Sequence, residues 1–176
     1  MVRHYEFTTL SSGGASTPIS VPIQFSDRKP TVLAISSGGG HWVQLLRLAP
    51  ALEGCDITYA TVSLSYRSQV DGTEFCVVRD ANRSDKSTLL PSAFSVLLLL
   101  LRLRPQVIIS TGAAPGYFAV RFGHLFRART IWVDSIANAE KLSLSGTMAA
   151  RHADLWLTQW AHLERENGPK YLGNVL

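Results

Sequence analysis

From Thr31 to Trp42 the chain reads Thr31-Val32-Leu33-Ala34-Ile35-Ser36-Ser37-Gly38-Gly39-Gly40-His41-Trp42. The run Thr31–Ser36, apolar or β-branched up to its last residue, predicts a strand covered on both faces, because a strand with one wet face would alternate with polar residues. The glycines that follow let the backbone turn sharply, and the apolar pattern resumes at Trp42 with helical spacing. Strand, glycine turn and helix in this order form the opening unit of a Rossmann-like sheet. The N–H groups of Gly39, Gly40 and His41 at the helix start would attract an anion such as a phosphate. The turn is not a P-loop, since no Gly-Lys-Ser/Thr ending is present. It is not a dinucleotide fingerprint either, since His41 stands where the last glycine would lie. The competing reading is a tight turn in which His41 merely starts a helix.

Working outward, the runs Ile57–Val62, Phe75–Val78, Val107–Ser110, Thr130–Val133 and Leu155–Thr158 repeat the apolar strand signature. Helices are predicted over Trp42–Leu52, Ser92–Arg104, Gly116–Phe126 and Ala161–Asn167, the second ended by Pro105 and the third opened by Pro115-Gly116. The alternation predicts an α/β fold, a doubly wound parallel sheet in a single domain, with its ligand site at the carboxyl ends of the strands. The first 29 residues, rich in Ser, Thr, Gly and Pro, are expected to form a flexible arm, with a short edge strand at Ile19–Phe25. The domain proper runs from residue 30 to residue 176.

A second small-residue turn, Ser110-Thr111-Gly112-Ala113-Ala114-Pro115-Gly116, follows the fourth predicted strand of the domain, and the next ends in Asp134-Ser135. If these strands are neighbours, His41, Thr111, Gly112, Asp134 and Ser135 converge on one rim of the sheet. A carboxylate and an imidazole in one cleft suit general acid–base work, although an Asp at a strand end also serves as a turn former or helix cap.

The chain has 176 residues, 46% hydrophobic and 17% charged, a balance that excludes collagen-like, coiled-coil and disordered classes. Cys55 and Cys76 have no Cys/His cluster beside them, so no metal site is expected and a reduced setting follows. The formal charge of +4 is uneven. Between Arg79 and Arg129 eight basic side chains face only Asp80 and Asp85, which makes that stretch +6 and the remainder −2. Such a field suits an anionic partner. Nucleic acid is not expected, because no RRM, zinc-finger or KH pattern appears and the basic residues sit beside leucines instead of alternating with aromatics. From Ser87 to Leu101 no residue carries a charge, and Arg102 and Arg104 follow. Pro91 and Pro105 leave too short a segment to span a bilayer, so this helix either packs in the core or lies in a membrane surface.

Together these residues resemble a known family. The SSGGGHW turn, the STGAAPG turn, Val133-Asp134-Ser135, Lys141-Leu142-Ser143-Leu144-Ser145-Gly146 and Ala153-Asp154-Leu155-Trp156-Leu157-Thr158-Gln159-Trp160 match, in order and spacing, one side of a divided enzyme. This is the acceptor-side subunit of the two-component UDP-GlcNAc transferase of dolichol-linked oligosaccharide synthesis, with its bacterial relatives in polysaccharide biosynthesis. Such chains are similar to the N-terminal half of MurG-type glycosyltransferases of the GT-B fold. The family usually has Glu-Ser where this chain has Asp134-Ser135, and arginine where it has Asn138.

The resemblance implies an inverting glycosyltransferase divided between two proteins. This chain would bind a lipid-diphosphate-linked sugar acceptor, and a partner would bind the UDP-sugar donor. His41 would be the base, with Asp134 in the same catalytic site, while Ser37, Gly38, Gly39, Gly40, Thr111, Gly112 and Ser135 would bind the acceptor. No cofactor or metal is implied. The arm carries no apolar anchor, which points to a bacterial-type member bound peripherally at the cytoplasmic face of the inner membrane. A non-catalytic membrane scaffold for the partner is the rival role. A nucleotide-binding Rossmann enzyme is a further one, weakened because the second strand of the domain ends in Ala60-Thr61-Val62-Ser63 without the acidic residue that holds ribose.

Overall fold

The computed structural model describes residues 2–7, 19–24, 29–81 and 86–175. Strands β1 (Val2–Phe7) and β2 (Ile19–Gln24) pair with each other, antiparallel, in a sheet of their own. The strand expected near Ile19 is therefore half of a two-stranded ribbon and not an edge of the main sheet. Apart from Lys29, the rest of the predicted arm, with Phe25, lies outside the described residues, as do Arg83 and Asp85 of the basic stretch.

The main sheet is parallel and has seven strands. They are β3 (Thr31–Ile35), β4 (Asp56–Thr61), β5 (Glu74–Val77), β6 (Val107–Ser110), β7 (Arg129–Val133), β8 (Leu155–Thr158) and β9 (Lys170–Tyr171), in the spatial order β5-β4-β3-β6-β7-β8-β9. The six strands expected from the sequence are all present within a residue of their expected bounds. The short edge strand β9 was not expected. Because successive side chains point to opposite faces, Val32 and Ala34 of β3 pack with Trp42 and Leu45 of α1 (Gly40–Arg47). Leu33 and Ile35 face the other way, against Val96, Leu99 and Leu100 of α2 (Leu89–Leu103) and Ala119 of α3 (Ala113–Gly123). A fourth helix, α4 (Leu144–Ala149), joins α3 through a cluster of Val120, Trp132 and Ala149.

The helix ends follow from local chemistry. Helix α1 stops at Arg47 and continues as a 3₁₀ turn, Ala49–Leu52, because Pro50 has no N–H to extend the ladder. Helix α2 starts three residues before Ser92, with Pro91 tolerated in its first turn, and ends on left-handed Arg104 just before Pro105. The helix expected over Ala161–Asn167 is only a 3₁₀ turn, Ala161–Leu163. Gly168 and Pro169 lie just beyond, and the chain there returns to donate Arg165 N–H to the Pro169 carbonyl.

Strand order reverses at β3, which has β4 on one side and β6 on the other. The crevice at this switch point lies between the turns that follow β3 and β6, which carry His41 and Thr111-Gly112.

Candidate functional site

Those two turns are joined by a reciprocal pair of hydrogen bonds. The Thr111 carbonyl accepts from His41 Nδ1 at 2.8 Å, and the Thr111 hydroxyl donates to the His41 carbonyl at 2.6 Å. A carbonyl can only accept, so Nδ1 carries a proton, and in the neutral ring Nε2 keeps the lone pair. The imidazole lies directly over Gly112, where φ is +139° and a Cβ would sit 2.4 Å from His41 Nδ1. Glycine is required there on both counts. The next residue, Ala113, also has a positive φ (65°).

His41, Ala113, Ser135, Ala137, Asn138, Ser143, Leu144 and Ser145 line a cleft of about 220 Å³. Three of its walls are the starts of helices: His41 of α1, Ala113 of α3 and Leu144-Ser145 of α4. The first intrahelical bond of α1 is made by Val43 N–H to the Gly39 carbonyl. Hence the Gly40, His41 and Trp42 amides precede the ladder and add a partial positive charge at this wall. The lining holds no acidic side chain. Among the described residues there is no group of three His, Cys, Asp or Glu side chains that could hold a metal ion.

Asp134 is buried beneath the cleft, and both of its carboxylate oxygens are engaged by Ser143: Oδ2 accepts the backbone N–H at 2.8 Å, and Oδ1 accepts the hydroxyl. Ser143 Oγ in turn caps α4 by accepting Gly146 N–H at 2.8 Å. In this geometry Asp134 holds Ser143, the cap of α4, and with it one wall of the cleft. Gly146 is confined as well, since a Cβ there would lie within 2.9 Å of Ser143 Oγ, Asp134 Oδ1 and Trp132 Nε1.

The remaining candidates divide. Ser135 lines the cleft. Ser37, Gly38, Gly39, Gly40, Thr111 and Gly112 do not, and Gly39 N–H donates to the Tyr66 hydroxyl at 2.9 Å, so one of the three turn amides is already taken. Tyr66 also stacks at a tilt on buried Trp42, with ring centroids 5.3 Å apart.

Supporting residues that the sequence reading passed over lie behind the cleft. Buried Gln44 donates from Nε2 to Ser135 Oγ (3.0 Å) and to the Gly40 carbonyl (3.2 Å), and accepts at Oε1 from Ile136 N–H (3.0 Å) and from Gln159 Nε2 (2.7 Å). Trp160 Nε1 and His162 Nε2 bond the carbonyls of Ile136 and Ala139, clasping the loop that brings Ala137 and Asn138 into the cleft. A glutamine within an amphipathic helix carries no motif, so only its helical face, four residues after Gly40, hinted at a role.

The oligosaccharide biosynthesis protein Alg14-like family matches residues 76–175. The chain belongs to the Alg14-like family. An Alg14-like relative from Yarrowia lipolytica, named UDP-N-acetylglucosamine transferase subunit ALG14, is 28% identical over 76% of this chain and 75% of its own length. The protein of the same name from Rattus norvegicus is 26% identical over 82% of each chain. Among solved structures, MurG of Acinetobacter baumannii superposes with a TM-score of 0.66 at 12% identity. It matches 81% of this Alg14-like chain, which spans 45% of the MurG chain. A UDP-GlcNAc 2-epimerase from Methanocaldococcus jannaschii gives 0.54 at 9% identity, over 73% of this chain and 39% of its own. At these identities the structural likeness establishes the Rossmann-like fold alone.

Proposed function

We propose that this chain is the acceptor-binding and membrane-recruiting subunit of a two-component inverting glycosyltransferase, acting in oligosaccharide or exopolysaccharide biosynthesis. Its partner subunit binds the UDP-sugar, and this chain binds a lipid-diphosphate-linked saccharide. The observation that carries the reading is His41: its Nδ1–H is committed to Thr111, its Nε2 keeps a lone pair, and its side chain lines a cleft walled by three helix starts with no acidic side chain. The names of the relatives, subunits of a UDP-N-acetylglucosamine transferase, support the division of labour.

The chemistry follows from these residues. Helix-start amides of α1 and α3 and the hydroxyls of Ser135 and Ser145 hold the acceptor's diphosphate by hydrogen bonds and the helix dipoles. His41 Nε2 takes the proton of the acceptor hydroxyl as that oxygen attacks the anomeric carbon of the donor from the face opposite the departing nucleoside diphosphate, which inverts the configuration. The Thr111 carbonyl steadies the imidazolium so formed. Asp134 acts as a positioning residue through Ser143.

Helix α2 supports the membrane part of the reading. Ser92, Val96, Leu99 and Leu100 are buried, whereas Leu90, Phe94, Leu98 and Leu101 are exposed, Leu90 at 79%. The two readings of the leucine run thus describe opposite faces of one helix. By length and composition Lys86–Leu103 would suffice to cross a bilayer, but a helix with one face packed on a sheet is better suited to lying in a membrane surface. Arg102 and Arg104 flank the exposed stripe. On the same side of the sheet, burial first and then the nearby Arg121, His124 and Arg151 hold the His152 imidazole below its usual pKa, so basic side chains cluster here as well. An anionic bilayer complements such a face, and the cytoplasmic surface of a bacterial inner membrane is the site we assign.

The deciding experiment is transfer by the reconstituted pair on a polyprenyl-diphosphate saccharide, with wild-type chain or His41→Ala. A loss of about 100-fold or more in turnover is expected from removing a general base. Unchanged turnover with intact complex would leave the scaffold role.

A further inference from the structure

Segment 172–175 lies across the carboxyl ends of β7 and β8 and packs poorly there. A cavity of about 210 Å³ separates it from the sheet, walled by Leu48, Val133, Leu157, Thr158, Leu172 and Val175. Leu172 is largely exposed. Two hydrogen bonds pin the segment at Val175: its N–H donates to Gln159 Oε1 at 3.0 Å, and its carbonyl accepts from Arg47 Nη1 at 2.8 Å.

Gln159 connects that pin to the cleft. Its Nε2 donates to Gln44 Oε1 at 2.7 Å and to the Asp134 carbonyl at 2.9 Å, and Gln44 passes the connection to Ser135 Oγ and Ile136 N–H. The direction of both amides is unambiguous. Gln159 Oε1 faces a backbone N–H and its Nε2 a backbone carbonyl; Gln44 likewise faces Ile136 N–H and the Gly40 carbonyl, so a flip of either amide would break both of its backbone bonds. Both side chains are buried, where an unpaired amide is costly, so loss of the Val175 donor must be answered by a shift of Gln159.

We propose that Gln44 and Gln159 are positioning residues that transmit the seating of segment 172–175 to the cleft, so that lifting the segment loosens the Ser135 wall and weakens diphosphate binding there. The last clause rests on the reading of the cleft as a diphosphate site. The relay itself does not.

The test compares full-length wild type, Val175→Pro, which deletes the N–H that Gln159 accepts, and Asn174→Ala as a control in the same segment. Amide ¹H–¹⁵N spectra are recorded before and during titration with inorganic pyrophosphate. In Val175→Pro, changes are expected to reach the Ile136 and Ala137 amides and the Gln44 side-chain NH₂, with pyrophosphate affinity lowered between roughly twofold and thirtyfold, the range for substitutions along a coupled network. Asn174→Ala should change only residues 172–176. In a Gln159→Met background, Val175→Pro should add nothing at Ile136 or Ala137; if that background does not fold, the single variants decide. Changes confined to 172–176 in Val175→Pro, or an unaltered pyrophosphate affinity, overturn the proposal. If wild type shows no response to pyrophosphate at Gly40, His41 or Ala113, the diphosphate reading fails, and the relay stands or falls on the ligand-free spectra.

Discussion

His41 and Thr111, seventy residues apart in sequence, hold each other by two hydrogen bonds of opposite sense. One fixes the tautomer of the ring; the other ties the start of α1 to the turn after β6. Thr111→Val removes the second and leaves the first, since the carbonyl that orders the ring belongs to the backbone. The variant is expected to lose about 1 kcal/mol of stability for the part-buried hydrogen bond removed, while keeping most of the turnover that His41→Ala abolishes. Urea unfolding and transfer assays of the reconstituted pair check both halves. Equal losses of turnover in the two variants would mean that the carbonyl alone does not hold the ring in its working position and that the hydroxyl tie is needed as well.

The glycines of the two turns should behave differently. Gly112→Ala forces a Cβ into the His41 ring in a region of φ that L-residues avoid, and should cost about 2 kcal/mol or more together with most of the activity. At Gly40 a Cβ meets nothing within 4 Å and φ is ordinary, so Gly40→Ala should leave stability within about 0.5 kcal/mol. Its methyl group would nonetheless stand at the start of α1. A raised KM for the lipid acceptor with unchanged melting is the expected pattern, and a normal KM would remove that helix start from the binding site.

Asp134 and Ser143 form a second pair to be separated by mutation. If the carboxylate is a cap, Asp134→Asn and Ser143→Ala each cost about 1–3 kcal/mol, and the double variant costs less than the sum because both remove the same contact. A catalytic Asp134 would instead show lost turnover with unaltered stability in Asp134→Asn and no coupling to Ser143.

These contrasts mark what was legible beforehand. The strands could be read because buried parallel strands are apolar throughout, and Thr31–Ile35 or Val107–Ser110 permit little else. The turns after β3 and β6 were legible because positive φ and close approach select glycine. Helix α4 was not, since Leu144-Ser145-Gly146-Thr147-Met148-Ala149 is short, has a glycine in the middle and is held by a cap whose partner, Asp134, lies nine residues before Ser143. Gln44 and Tyr66 escaped for a related reason: their importance lies in tertiary partners 91 and 27 residues away, which no local pattern records, while Gln159 stood in a matching motif without a role until its partner 115 residues away was in place.

The two faces of α2 predict opposite outcomes for similar substitutions. Phe94→Ser with Leu98→Ser should weaken binding to anionic vesicles in flotation while leaving the melting temperature nearly unchanged, because these side chains are already largely exposed. Leu100→Ala, on the buried face, should cost about 2–5 kcal/mol. Arg102→Gln with Arg104→Gln should reduce vesicle binding and its salt dependence together. A wild-type chain that stays free of anionic vesicles at low salt would overturn the membrane role of this face.

The His152 ring offers a probe of the same surface. Its depressed pKa means that the unfolded chain binds the proton more readily than the folded one, so stability is lost as pH falls through the ordinary histidine range near 6.5. Anionic vesicles should offset the neighbouring cations and raise the titration midpoint of His152, as followed by its imidazole proton resonances. No movement on adding vesicles would place the α3–α4 surface away from the bilayer.

Because α2 is packed rigidly on the sheet whose strand ends carry the cleft, a membrane-seated α2 sets the altitude of His41 above the lipid. The molecule then works as a height gauge. A lipid-linked saccharide whose reacting hydroxyl stands too low or too high would miss His41 Nε2 however well its sugars were recognised. Acceptor length would thus be selected by the thickness of the fold, without any residue touching the part being measured.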